Sequence, residues 1–249
     1  EERPNLSQRT YLEMNKDIVD YFNFVGISGI AGAGKDLFFT LCKEYLRKHK
    51  IYSARVALGD EVKARSDKAI KDLYGFSAKT CDREQKNQIR SHLVFLGTLK
   101  RKETQGRYWI EQAEKTIEGL YKNCLPQNLT YEGGTQQKPL IFITDIRYNE
   151  YKKDEVYWVR NQLKGTLVHV EKFTPYADVN CDDVPTGEFT HDSPSAPNGS
   201  EEKNDPKVQK KADFLVKWQD HKNLELKEVK KLLAPTAKSI IDKILKTKA

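Results

Sequence analysis

Long apolar runs are missing from this chain. No stretch of the 249 residues approaches the ~20 that a bilayer-spanning helix needs, so an integral membrane protein is excluded at the outset. Cysteine is scarce: Cys42, Cys81, Cys124 and Cys181 lie far apart, with no CxxC pair and no histidine at ligand spacing. That argues against a disulfide framework or a structural zinc and for a reducing compartment. No basic-then-apolar segment of the secretory kind is present, so the expected location is the cytoplasm. The sequons at Asn5, Asn128 and Asn198 are accordingly read as chance. Internal repeats are lacking, and arginine does not occur after position 160. What the chain does have is charge: 43 Lys+Arg against 36 Asp+Glu, a net +7, with 38% hydrophobic and 10% aromatic residues. This balance suits a folded chain with a well-solvated surface and a preference for acidic ligands, without by itself arguing for nucleic acid.

Residues 1–21 form a polar lead-in, with a short helix expected through Tyr11, Met14 and Ile18. From residue 22 the pattern is that of one domain, with β-rich apolar runs at 22–27, 51–58, 140–144, 166–170 and 214–218. Between them the spacing is helical. Leu37, Phe38, Leu41, Tyr45 and Leu46 lead into a basic run at 47–50 that complements a helix C-terminus. The region 60–123 is largely helical, and a last helix is expected over 224–245. The run LIFIT at 140–144 predicts a buried central strand. Residues 125–138 read as a polar loop, and 174–210, with prolines at 175, 185, 194, 197 and 206, as a long loop or insertion. Strands separated by helical stretches predict an α/β fold, a mostly parallel central sheet flanked by helices on both faces.

The first strand breaks into Ser28, Gly29, Ile30, Ala31, Gly32, Ala33, Gly34, Lys35 and Asp36. From Gly29 this fits G-x-x-x-x-G-K, with Asp where Ser or Thr is usual. Glycines let the backbone wrap so that successive N–H groups point at one anion, at the positive end of the following helix. Lys35 adds a point charge that reaches the β- and γ-phosphates of a nucleotide. Gly29, Ile30, Ala31, Gly32, Ala33 and Gly34 are thus candidates to hold the phosphates of ATP with Lys35, and Asp36 is the candidate oxygen ligand for Mg²⁺. Gly29, Gly32 and Gly34 are read as sites where a Cβ would be in the way.

Such a loop leaves kinase, ATPase motor and GTPase open, and the lack of an N-K-x-D guanine-reading motif removes the last. A kinase acting on a phosphate needs cations for the acceptor and for the moving group. Bidentate phosphate recognition is expected from Arg65, Arg83, Arg90, Arg101, Arg107 or Arg147. The segment 90–109, RSHLVFLGTLKRKETQGRYW, combines cations with Gly97, Thr98 and the pair Tyr108 and Trp109. A base could stack on Trp109 while arginines hold the phosphate; the plainer reading makes Trp109 a core anchor and Arg101 and Arg107 a solvated face. Asp145 and Arg147 end the buried strand, where open α/β sheets place ligands. Alternate residues share a strand face, so the two are expected to point together, with an ordinary Asp–Arg pair as the plainer alternative. His191 is read as a loop histidine, since phosphoryl transfer needs little base help.

Taken in order, ISGIAGAGKD (27–36), LGDEVK (58–63), the R-x6-GT segment with RYWI (90–110) and FITDIR (142–147) resemble the bacteriophage-type deoxynucleoside monophosphate kinases. The resemblance runs over nearly the whole chain from Phe22, with weaker echoes in TLVHV, His191 and ADFLVKW (212–218). Val94 stands where the family often has Gln or Glu, and Leu37 where it often has Thr. The family implies an adenylate-kinase-like, three-layer P-loop fold with a helical acceptor-binding or lid region, ATP–Mg²⁺ as donor and a deoxynucleoside monophosphate as acceptor. By position it assigns Gly34, Lys35 and Asp36 to the donor phosphates and metal. Arg90, Gly97, Thr98, Trp109, Asp145 and Arg147 fall on the acceptor and transfer side, joined by Lys63 of the LGDEVK segment. Arg90, Arg101 and Arg107 are expected to screen the moving group, so the candidate catalytic set is Lys35, Asp36, Arg90, Arg107, Asp145 and Arg147. Two other readings stay open. One is a related kinase acting on a hydroxymethylated pyrimidine in DNA. The other is a nucleic-acid-binding or assembly protein that keeps the loop for structure, to which the lysines from Lys227 to Lys248 lend support, although they equally fit a solvated amphipathic helix. No membrane partner is expected, a homodimer stays open, and the cytoplasm would be a host's if the chain is of phage origin.

Overall fold

Strands that carry apolar residues on both faces need cover on both sides, and this sheet has it. The computed structural model describes residues 14–124, 137–175, 191–192, 199–221 and 224–248. Its strands are β1 (Asn23–Ser28), β2 (Ser53–Ala57), β3 (Leu140–Ile146), β4 (Thr166–Pro175), β5 (His191–Asp192) and β6 (Phe214–Gln219). The order β2-β3-β1-β4-β6 makes a five-stranded, all-parallel sheet, and the short β5 pairs antiparallel with the far end of β4. Phe24, Ile141, Ile143 and Leu167 fall on one face; Val25, Ile27, Leu140, Phe142, Val168 and Val170 fall on the other. Helices α1 (Lys16–Tyr21), α3 (Leu58–Tyr74), α5 (Arg90–Thr104) and α6 (Arg107–Cys124) contribute to the first face, as does α7 (Glu155–Tyr157) with the π-helical turn Trp158–Gln162 that continues it. The second is covered by α2 (Lys35–Lys48) and α9 (Leu226–Lys248).

The covering helices follow their apolar spacing. On α2, Phe38, Leu41, Cys42 and Leu46 are buried, and on α9 the facing set is Leu233, Ala237, Ile240, Ile241 and Ile244. Each large apolar side chain buried in this way stabilises the fold by about 1.5–3 kcal/mol. Lys227, Lys231, Lys238, Lys243 and Lys246 of α9 are exposed and lie off this face, as in a solvated amphipathic helix. The region 60–123 resolves into α3, α4 (Arg83–Gln88), α5 and α6. A left-handed Gly75 (φ 75°) ends α3, and a reciprocal Asp82–Gln85 capping box starts α4.

Three expectations are corrected. Ile18 on α1 is 3% exposed and shares a core cluster with Phe22 and Phe24, against which Met14 also packs, so the boundary at 21/22 falls inside a shared core; residues 1–13 lie outside the described residues, as does most of the 125–138 loop. The Pro-rich stretch is not a plain loop where it is described. His191 sits in β5, and α8 (Gly199–Gln209) buries Glu201, Asn204 and Val208 at helical spacing. Two of those three are polar, so apolar periodicity does not reveal the helix. Finally, β3 is not a plain strand at its end. Ile27 pairs with Thr144 but Ser28 with Ile146, leaving Asp145 as a bulge at φ 67°. The extra residue returns Ile146 to the face of Ile141 and Ile143.

Among the described residues no helix is long and apolar enough to cross a membrane, and Cys42, Cys81 and Cys124 are free thiols.

Candidate functional site

The carboxyl ends of β1 and β3 lie side by side in the middle of the sheet, the position where open α/β folds leave a crevice. Residues 29–34 turn sharply there between β1 and α2. Gly34 precedes the helix at φ 91°, and a Cβ on it would stand 2.7 Å from the Trp218 ring. At Gly29, φ 127°, a Cβ would overlap the Val170 carbonyl oxygen. Crowding is not the reason for Gly32, where no atom lies within 4 Å and only the φ of 89° favours glycine. Trp218 on β6 donates its Nε1 hydrogen to the Ala33 carbonyl at 2.9 Å and props the loop from the sheet. Lys35 is 7% exposed and donates Nζ to the Gly29 and Ile30 carbonyls, both at 2.8 Å. Burial pulls its pKa down, while Asp145, 4.0 Å away, pulls it up.

The loop already carries an anion. The Ala31 N–H donates to the Glu201 carboxylate of α8 at 2.9 Å, and the other oxygen of that carboxylate pairs with Arg147. A carboxylate here stands where a phosphate oxygen would find the same donors. Asp36 follows Lys35 with its side chain 86% exposed, 3.2 Å from the Arg55 guanidinium. Among the described residues no three His, Cys, Asp or Glu side chains cluster to hold a metal. A cation at Asp36 would therefore depend on ligand oxygens and water as well, which is the habit of Mg²⁺.

The loop opens on a cleft of about 1050 Å³, its mouth included. Arg90, Val94, Gly97, Thr98 and Arg101 line it from one face of α5, at spacings of three and four. Lys63 of α3 and Lys86 of α4 add two more cations, and Leu58, Val62 and Leu93 supply apolar surface. Burial lowers the pKa of Lys86, and the charge of Lys63 lowers it further. Trp109 touches the cleft but is 3% exposed and donates Nε1 to the Gly97 carbonyl at 3.0 Å. It anchors α6 to α5, and the expectation of a base stacked on an open indole face gives way to that core role.

Arg107 is the clearest correction. It is 1% exposed, pairs with Glu114 at 3.2 Å and with Gln162 at 3.0 Å, and does not line the cleft. Its charge is committed inside the core and does not screen a moving phosphate. Arg65 is occupied by Glu61 and Gln112, and Arg83 is exposed; neither lines the cleft.

Asp145 and Arg147 do come together, 3.4 Å apart, through the bulge and not through simple alternation. Burial alone would raise the Asp145 pKa, but Arg147, Lys35 and Arg55 overcome it and hold the carboxyl at about 2. The result is a chain of alternating charge, Lys35, Asp145, Arg147 and Glu201, between the loop and the cleft. Beneath the loop, His169 is fully buried with Nδ1 3.0 Å from Ser28 Oγ, and burial together with Lys35 lowers its pKa to about 4.

Three contributors escape the sequence argument. Arg55 on β2 bonds Thr144 at 3.1 Å and Asp60 at 3.1 Å and lines the cleft, yet reads in sequence only as part of a strand. Lys86 and Glu201 have no motif. Models of known protein families give no match to this chain, and neither do curated proteins.

Proposed function

We propose that the protein is a Mg²⁺-dependent phosphotransferase that moves the γ-phosphate of ATP to a deoxynucleoside monophosphate, giving the diphosphate, on a P-loop type of α/β fold. One observation carries the reading. The glycine turn, already bearing a carboxylate on its backbone, reaches through Ala31 and Asp36 into the same cleft as Lys63, Lys86, Arg90 and Arg147, with Lys35 buried against the turn's own carbonyls. A donor triphosphate and an acceptor phosphate are both polyanions, and one cleft with two cationic ends suits both.

In this reading the loop amides and Lys35 hold the donor phosphates, Lys35 exchanging its carbonyl partners for phosphate oxygens. Glu201 leaves Ala31 and Arg147 when the triphosphate arrives. Lys63, Lys86 and Arg90 hold the acceptor phosphate, and the apolar patch of Leu58, Val62 and Leu93 borders its base. Asp145, kept ionised by its cations, orients Arg147 toward the transferring group. The exposed carboxylate of Asp36 would hold Mg²⁺, which supplies charge neutralisation on the phosphates when bound. The attacking group is itself a phosphate oxygen, so no general base is required.

The test is purified protein with ATP, Mg²⁺ and each deoxynucleoside monophosphate in turn, run beside a DNA oligomer carrying hydroxymethylated pyrimidine. Diphosphate formation from one or more free nucleotides is expected. Label on the oligomer alone would redirect the reading to a DNA-modifying kinase. Salt-sensitive DNA binding with no transfer to either would make the loop a structural feature.

A further inference from the structure

Arg101 differs from the other cations of the cleft because two buried carboxylates, Asp154 and Glu155, hold its guanidinium. Its Nη1 donates to Asp154 and to Glu155, both at 2.9 Å, and its Nη2 donates to the second Asp154 oxygen at 3.0 Å. The three side chains are 4% exposed or less. The guanidinium also lies 3.6 Å from the centre of the Tyr148 ring. A guanidinium shared by two buried carboxylates is not available to a passing phosphate, so the role of screening the moving group does not fit it.

The carboxylates it holds point in turn at the backbone that follows β3. Glu155 accepts the N–H of Arg147 at 2.7 Å and that of Tyr148 at 3.1 Å through one oxygen, while its other oxygen faces Arg101. Asp154 accepts the N–H groups of Glu150, Tyr151 and its own neighbour Glu155. The stretch from Arg147 to Tyr151 has no regular secondary structure, and these carboxylates close it. Arg101 belongs to the α5 face that lines the cleft, so a path runs from that wall through Glu155 to the main chain that carries the Arg147 side chain.

We infer that Arg101 is a positioning residue that acts through Glu155 to fix Arg147 against the glycine loop, making the α5 wall and the Arg147 side of the cleft one unit. The inference rests on the phosphotransferase reading for its effect on turnover, but not for its effect on anion binding. A direct phosphate ligand at Arg101 would contribute whether or not Arg147 is present. A positioning residue has nothing to position once Arg147 is gone.

A four-protein cycle separates these: wild type, Arg101→Lys, Arg147→Ala and the double variant, each checked for thermal unfolding. Arg101→Lys is expected to lower kcat by about tenfold with KM for the acceptor nearly unchanged, and to cost less than about twofold further in the Arg147→Ala background. Equal losses in both backgrounds, or a loss confined to KM, would overturn the inference. The same cycle read on inorganic tripolyphosphate by calorimetry needs no activity. Weakening by Arg101→Lys only when Arg147 is present supports it; equal weakening, or none, in both backgrounds sinks it. A wild type without transfer would defeat the kinase reading and leave this binding cycle standing. If Arg101→Lys does not fold, Glu155→Gln takes its place with the same expected pattern, since it keeps the side-chain shape and weakens the link between Arg101 and the Arg147 amide.

Discussion

The two ends of the cleft are built in opposite ways. The loop end is made by eight consecutive residues, Gly29 to Asp36, braced by Trp218 and Val170 from neighbouring strands. The wall opposite is assembled from α3, α4, α5 and the end of β3, each giving one or two cations to a surface that no local segment contains. A contiguous site carries its geometry in its own backbone, because glycine conformations and a helix start are local events. An assembled site exists only after the helices have packed. The loop should therefore fail sharply at single residues and the wall should fail by degrees.

The largest effect is expected at Lys35. Removing its charge in Lys35→Ala takes away the cation that α2 itself carries at its head, and losses of this kind cost roughly 3–4 kcal/mol of barrier. Turnover should fall by two or more orders of magnitude with little change in the thermal midpoint or far-ultraviolet circular dichroism. Near-normal turnover in a folded variant would break the contrast, since the contiguous end would then be dispensable.

Asp145 sits at the junction of the two ends, and its effect is expected next in size. Its folded pKa of about 2 lies below the ordinary 3.8 because Arg147, Lys35 and Arg55 outweigh burial. A depressed carboxylate pKa gives stability that is present above the unfolded value and lost as pH falls from near 3.8 through about 2. The shift corresponds to about 2 kcal/mol. Wild type should lose that amount in this window, whereas Asp145→Asn, less stable at pH 5, should lose less, so that the two denaturant-unfolding free energies converge in acid. Curves that stay parallel from pH 5 to pH 2 would mean that the cations around Asp145 do not hold it.

The same division explains what the sequence discloses. All five parallel strands and the helices α2 and α9 announce themselves by apolar runs or spacing, because each places apolar side chains in the core. The loop is legible because its residues are neighbours in the chain. Arg107 and Trp109 mislead for the converse reason: a cation and an aromatic beside Gly97 and Thr98 look like ligand groups, and only packing reveals that Glu114 neutralises one and the Gly97 carbonyl holds the other. Glu201 is hidden more deeply. It reaches the loop from α8, a helix whose buried residues are mostly polar and whose sequence resembles a linker. The bulge at Asp145 has no sequence marker either, since a φ of 67° in a residue other than glycine is imposed by the surrounding packing.

The smallest effect is expected on the assembled wall, where it sharpens the comparison most. Arg90, Lys63 and Lys86 line the same part of the cleft, so in the proposed reading no one of them would hold the acceptor phosphate alone. Arg90→Ala should raise KM for the acceptor nucleotide by about tenfold, a loss near 1.4 kcal/mol, with KM for ATP little changed. Arg65→Ala provides the control: this arginine lies on α3, as Lys63 does, but is bound to Glu61 and Gln112 and does not line the cleft, so both KM values should stay put. If Arg65→Ala weakens the acceptor as much as Arg90→Ala does, the selectivity comes from the general positive field of the helical region, and the wall is not a site in the sense that the loop is. If only Arg90→Ala does so, a surface gathered from separate helices discriminates by position, as the contiguous loop does, while spreading its binding energy over several side chains.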